Sequence, residues 1–375
     1  MWQLRGSDSE MEKEYTDWVW ADGSHPSIVI WDALNEQKSD FIGNRLIPEL
    51  LKLDPTRIWD AGYMTAKDMK IQMQEAHPYR GGFGWWDTDK SLEETRNKYV
   101  FGNLPKPDTT RKSSPPTIVN EYGWLWQTRD GTESGVRVHG NFLPNQVTPY
   151  TDDYEYYEPG GGVLYKDRDI YDYYLGKGAT ASERYQYQTY MTGLETEALR
   201  ASKRYCGILS FAYLANNRGY TGDWFMNNVT DLQPSQALLI QYHTSKLFAV
   251  YIDQKDHRYN KKKDYFEPGS TQNINLVASN ETGTNKSGKV VVKLIDSNGK
   301  AIQIKTIINV DVTSFGYRNI PVTIKMPGKK GGYTILTELT DMSEKESVMK
   351  QVSVRYICVG NIEKSAYYNY SYKMP

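Results

Sequence analysis

The chain has 375 residues, with 45 basic against 46 acidic and 13% aromatic residues, among them 30 Tyr and 10 Trp. This length exceeds one small core and predicts two domains. Balanced charge argues against nucleic acid or an anionic membrane as the partner, and no apolar run approaches the roughly 18 residues of a membrane span.

Two cysteines, Cys206 and Cys358, cannot form a disulfide framework, and five scattered histidines lack ligand spacing, so neither a metal nor a cofactor is expected. Tyr and Trp present a flat apolar face and a hydrogen-bonding edge, which suits sugar rings and also any interface. The N-terminus has no basic stretch leading into an apolar run, so no signal peptide is visible there.

Ser9 to Trp20 reads as a helix. Ser27 to Leu34, a run of β-branched and apolar residues, predicts a strand buried on both faces, as in parallel sheets. Ser39 to Leu53 carries Phe41, Ile42, Leu46, Leu50 and Leu53 at helical spacing, with a kink expected at Pro48. Arg57 to Tyr63, Ile71 to Tyr79 and Pro116 to Glu121 predict three more strands. Thr180 to Arg204 is a long helix that opens on a capping box, Thr180 with Glu183. Tyr187, Tyr190, Met191, Leu194 and Ala198 share one face of it. Gly207 to Leu214 is the fifth strand. Strands alternating with helices imply βα units and a parallel sheet. Two long segments, 80–115 and 122–179, interrupt the alternation, and eleven tyrosines fall between Tyr150 and Tyr190. Their aromatic content points to functional loops.

After about residue 250 the period changes to two. Ile274, Leu276 and Ala278 alternate with polar residues, as do Ile320, Val322, Ile324 and Met326, and Tyr333, Ile335, Thr337 and Leu339. Turn signals at Pro268-Gly269, Asn298-Gly299 and Pro327-Gly328 separate them. An antiparallel β-sandwich of about seven strands follows. The domains are therefore drawn at 1–250 and 251–375.

Two glutamates, Glu36 and Glu121, sit at the ends of the first and fourth strands. Active sites of parallel βα architectures gather at the carboxyl ends of strands. Glycoside hydrolysis needs such a pair: one carboxylic acid protonates the leaving oxygen, the other attacks the anomeric carbon or activates water. Spacing alone leaves a second reading open, in which both are solvated loop residues or helix N-terminal charges.

The local sequences add a resemblance. His25 to Gln37, HPSIVIWDALNEQ, resembles the acid/base segment of glycoside hydrolase family 2, a His-Pro-Ser-Ile strand ending in Asn-Glu. Leu53 to Tyr63, LDPTRIWDAGY, resembles the Asp-Pro-Thr-Arg step leading into that family's next strand. Pro115 to Trp124, PPTIVNEYGW, resembles its nucleophile strand. The two glutamates are 85 positions apart, within the range of such enzymes. The resemblance covers roughly residues 8–250, and the trailing sandwich resembles the Ig-like modules that follow the family's barrel.

By position, the resemblance implies Glu36 as general acid/base and Glu121 as nucleophile of a retaining mechanism. Asn35 would bond the sugar 2-hydroxyl. Tyr79 resembles a tyrosine that contacts the nucleophile, with a core tyrosine as the alternative, and His77 is either a substrate contact or a structural histidine. Trp124 and Trp126 are candidates for a sugar platform. Where the family often has a stacking tryptophan on its last strand, this chain has Phe211, Ala212 and Tyr213, which leaves the sugar open. Asn216, Asn217 and Arg218 lie just beyond.

The implied fold is α/β plus all-β: about strands four to eight of a TIM (β/α)8 barrel, then the sandwich. The first three strands are not represented, so the expectation is a C-terminal portion whose partner is the missing N-terminal part, weakly active or inactive alone. The expected activity is hydrolysis of terminal β-glycosidic bonds, β-galactosidase-like, with glucuronide and mannoside open. Alternatives are another family of the same clan, a non-catalytic carbohydrate-binding protein and an inactive gene fragment. Location is periplasmic or extracellular if the full enzyme carries a signal peptide, and cytoplasmic otherwise.

Overall fold

The computed structural model describes residues 6–35, 37–62, 72–77, 101–107, 115–122, 137–138, 141–142, 175, 179–210, 214–216, 224–226, 232–234, 244–260, 264–343 and 350–363. Helix α1 (Asp8–Asp22) opens on Ser7, whose hydroxyl accepts from the Glu10 amide while the Glu10 carboxylate accepts from the Ser7 amide. This closes two orphan donors of the first turn. Strand β1 (Ile30–Asp32) leads into a π-helical turn (Ile42–Leu46) and helix α2 (Ile47–Leu53). Pro48 explains the π turn. Proline offers no N–H and crowds the carbonyl four residues back, so the ladder widens before it, and the Ile47 amide bonds the Ile42 carbonyl.

Strand β2 (Ile58–Asp60) lies parallel to β1 in register, Ile30 beside Ile58, Trp31 beside Trp59 and Asp32 beside Asp60. The two indoles stack at 5.5 Å, and both are buried against Leu46, Ile47 and Leu50 from the helices. Strands β3 (Gln74–Ala76), β4 (Thr117–Val119) and β7 (Gly207–Ile208) form a second parallel set in the order β3-β4-β7. Parallel pairing agrees with the βα reading of the sequence. The strand expected over Gly207 to Leu214 is divided: Leu214–Asn216 is a separate strand, β8, parallel to β9 (Trp224–Met226), which pairs antiparallel with β10 (Leu232–Pro234). A short antiparallel pair, β5 (Arg137–Val138) and β6 (Asn141–Phe142), lies within the long segment 122–179.

Seven antiparallel strands complete the chain: β11 (Phe248–Asp253), β12 (Thr271–Asn280), β13 (Lys286–Ile295), β14 (Ala301–Val312), β15 (Tyr317–Lys325), β16 (Gly331–Asp341) and β17 (Gln351–Val359). They form two sheets, β11-β12-β15 and β14-β13-β16-β17. The alternating residues of the sequence fill the space between them: Leu276, Ala278, Val322 and Ile335 have essentially no exposure.

Two elements depart from their simple patterns. Strand β17 is buried on both faces, and helix α3 (Ala181–Ala201) is buried all round from Tyr190 to Leu199. The reason is a third layer. One side of α3 covers β4, with Leu199 against Val119 and Tyr122. Another packs Tyr187, Tyr190, Met191 and Leu194 on Leu336, Val354 and Tyr356 of the sandwich. Two sets of polar groups in this contact are paired. Glu197 and Arg355, each with a side chain 2% exposed, meet at 2.6 Å, and the Tyr190 hydroxyl donates to Asp256 while accepting from the Tyr356 amide. Among the described residues no helix is long and apolar enough to cross a membrane.

Candidate active site

The first two motif segments are tied together by the hydrogen bonds of Asp54 and Arg57. Asp54 accepts from the Trp31 indole at 2.7 Å, from the amide and hydroxyl of Thr56, and from the Arg57 guanidinium. These bonds outweigh burial, which alone would raise its pKa, and hold Asp54 well below the usual carboxylate range. Arg57 also donates to the carbonyls of Ile28 (2.7 Å) and His25 (3.0 Å). The Asp-Pro-Thr-Arg segment thus clamps the His-Pro-Ser-Ile strand and aims its end, Asn35, which is half-buried. Gly62 fits closely beside this end. Its φ is +72°, and a Cβ there would meet the Leu34 carbonyl oxygen at 2.5 Å.

In β1 and β2 alternation turns Trp31 and Trp59 to the helices and Asp32 and Asp60 to the opposite face. Glu75 and His77 share a face of the third strand. The fourth strand ends on Asn120, Glu121 and Tyr122. The Asn120 amide bonds the Ala76 carbonyl at 3.0 Å, and its side chain donates to Glu75 Oε1 at 2.9 Å. Glu121 Oε2 lies 3.5 Å from His77 Nδ1; the histidine side chain is fully buried and the glutamate side chain is 14% exposed. Tyr122, buried, shares a 2.9 Å hydrogen bond with Thr196 of α3. The carboxylate thus stands between a buried imidazole and a tyrosine anchored on a buried helix.

Below this pair is a set of carboxyls absent from the sequence-based candidates. Asp60 and Glu75 are buried, Asp32 is exposed beside them, and Asp60 and Glu75 lie within hydrogen-bonding reach of each other. Burial, then the charge of Asp32, pushes the Asp60 carboxyl up to about 7. Burial, then the charges of Asp32 and Asp60, pushes Glu75 up to about 9. The sequence signal for Asp32 and Asp60 was the tripeptide Ile-Trp-Asp, present at 30–32 and again at 58–60. A carboxylate closing an apolar tripeptide twice, on strands that pair in register, marks a charged interior face. Among the described residues no group of three His, Cys, Asp or Glu is arranged to hold a metal ion.

The structure brings His77 and Glu121 together. Glu36, Tyr79, Trp124, Trp126, Phe211, Ala212, Tyr213, Asn217 and Arg218 lie outside the described residues, and Asn216 is described in its backbone alone.

No family model matches the chain. Over 126 residues it is 35% identical to a putative beta-glucuronidase of Formosa agariphila, a match that covers 32% of this chain and 9% of that protein. Among solved structures, the exo-chitosanase CsxA of Amycolatopsis orientalis, in complex with PNP-beta-D-glucosamine, aligns over 95% of this chain and 38% of its own, with a TM-score of 0.51 and 11% identity. A second structure of CsxA, there called an exo-beta-D-glucosaminidase and studied with inhibitors, aligns over 92% of this chain with a TM-score of 0.50 and 13% identity. The chain spans a minor part of each of these proteins. At such identities the structural likeness concerns the fold alone.

Proposed function

We propose that the chain carries catalytic residues of a retaining β-glycosidase of glycoside hydrolase family 2, with residues 1–250 as a partial TIM barrel and 251–375 as an Ig-like domain. The observation that carries this reading is Glu121, which closes a parallel strand 3.5 Å from the buried His77. A carboxylate held beside an imidazole at the carboxyl end of such a strand is equipped to act as a nucleophile. The motif resemblance supplies its counterpart, Glu36.

In the proposed reaction Glu121 attacks the anomeric carbon while Glu36 protonates the departing oxygen. A glycosyl ester forms on Glu121. Glu36, now a base, then takes a proton from water, whose oxygen attacks the same carbon and releases Glu121. Two inversions give net retention, which requires the carboxyls about 5–5.5 Å apart. Asn35 bonds the 2-hydroxyl, and Tyr79, His77, Trp124, Tyr213 and Asn216 line the sugar site. The substrate is a terminal β-linked sugar of an oligo- or polysaccharide. A glucuronide is the first to test, because the relative similar in sequence is called a putative beta-glucuronidase; galactoside and mannoside follow.

The test is stereochemical. Aryl β-glycosides of these sugars are hydrolysed and the first-formed anomer is followed by NMR. The β anomer is expected. Glu121→Gly with azide should give the α-glycosyl azide, and Glu36→Gly with azide the β-glycosyl azide. An α first product, or full activity in Glu121→Gly, would overturn the reading.

A further inference from the structure

Asp60 and Glu75 are 2% and 6% exposed, and one oxygen of each, Asp60 Oδ2 and Glu75 Oε2, is buried without a hydrogen-bond partner when both groups are written as carboxylates. Two acceptors cannot satisfy one another, and an unpaired buried charge is costly. The described groups that face Glu75 are Asp32 from β1, Asp60 from β2, His77 from its own strand, and Asn120 and Glu121 from β4. Three of these are acids, and the imidazole is engaged with Glu121. A proton is what remains to neutralise the set. On Glu75 Oε2 it makes a donor for the neighbouring carboxylates, with Asp60 and Asp32 both in reach, and Glu75 Oε1 stays free to accept from Asn120 at 2.9 Å.

We propose that Glu75 is a positioning residue for the nucleophile: its neutral carboxyl, bonded to Asp60, holds the Asn120 side chain and so fixes the backbone that carries Glu121. This rests on the reading of Glu121 as nucleophile. A neutral Glu75 adds no repulsion to the negative charge on Glu121, whereas ionisation ends the donation to Asp60 and sets Glu75 against the charges of Asp32 and Asp60, a repulsion that outweighs the stronger bond Asn120 makes to the charged form. The raised position of Glu75, about 9, puts that loss on the alkaline side.

Glu75→Gln copies the protonated acid, with an amide N–H for Asp60 and a carbonyl for Asn120; Glu75→Ala copies neither. Trapping by a 2-deoxy-2-fluoro glycoside should slow in the wild type as pH rises through the ionisation of Glu75. Glu75→Gln should keep the neutral-pH rate and lose this alkaline limb. Glu75→Ala should slow trapping by about a hundredfold at every pH, the scale of a small misplacement of reacting groups. Two readouts need no sugar. At pH 8, above the Asp60 value and below that of Glu75, the infrared carboxylic-acid band should be lost in Glu75→Gln, and the Asn120 side-chain amide resonance should titrate in the wild type alone. Absence of that band, or an Asn120 resonance that ignores Glu75, overturns the proposal whether or not any sugar reacts. An alkaline limb unchanged in Glu75→Gln overturns it too. A wild type that traps no sugar yet passes both spectroscopic tests refutes the glycosidase reading and leaves the Glu75–Asn120 coupling standing.

Discussion

Two groups of acids, one in each region of this chain, behave in opposite ways. In the sandwich, Glu338 meets Lys293 and Lys350, and Asp341 meets Lys286. Burial would raise both carboxyls, but the lysines outweigh it and both pKa values fall. Among the parallel strands, Asp60 and Glu75 meet other carboxyls and rise. The first arrangement favours the folded state over the usual pH range. The second costs stability and makes sense where a charge state serves chemistry. Asp54 marks the boundary within the parallel region: it faces Arg57, away from the carboxyl set, and behaves like the sandwich acids.

Helix α3 joins the two regions, and breaking the join has the largest expected effect. Arg355→Met leaves Glu197 charged in a buried contact. It should cost about 3–5 kcal/mol by denaturant unfolding, while Arg355→Met with Glu197→Met should recover most of that loss. Equal destabilisation of the single and double variants would mean that the residues serve by shape and not by charge.

The next effect separates the regions by pH. Glu75 and Asp60 have folded values above their unfolded ones. Their contribution is complete below the ordinary carboxylate range and is lost as pH rises through about 7 and then about 9. Glu338 and Asp341 have lowered values, so their contribution is present above the ordinary range and is lost as pH falls. Hydrogen exchange, corrected for intrinsic rates, should show β3 and β4 losing protection between pH 6 and 9 while β13 and β16 hold. Below pH 4 the lysine-paired acids of β16 should lose their share. Loss of protection in both regions on the alkaline side would refute the contrast.

The smallest effect is at the helix start. Thr180→Ala removes a cap that bonds the Glu183 amide, and should cost about 1 kcal/mol. Thr180→Asp should restore it. Because α3 holds both regions, the loss should appear in the exchange of β4 and β17 together.

Much of this was legible in the sequence, for identifiable reasons. The sandwich was, because its inner face obeys period two: Leu276, Ala278, Val322 and Ile335 were read as inward and are core. The cap of α3 was, because Thr180 and Glu183 carry their own geometry. Burial of α3 all round was not. Glu197 reads as a solvent residue until Arg355, 158 positions later, is brought against it. The carboxyl set escaped for a related reason. For Asp60 and Glu75 nothing within their own strands says that the face beyond is closed by other acids. In the candidate site the sequence supplied Glu121 through a motif, whereas the distance to His77 needed the parallel pairing of β3 with β4.

The central claim is that Glu121 is a nucleophile, and covalent trapping tests it most directly. The chain is incubated with 2-deoxy-2-fluoro β-glycosides of glucuronic acid, galactose, glucose and mannose, and the labelled peptide is sequenced by mass spectrometry. A glycosyl ester on Glu121, absent in Glu121→Gln, is the predicted result. A label on a different residue, or an equal label in Glu121→Gln, would contradict it.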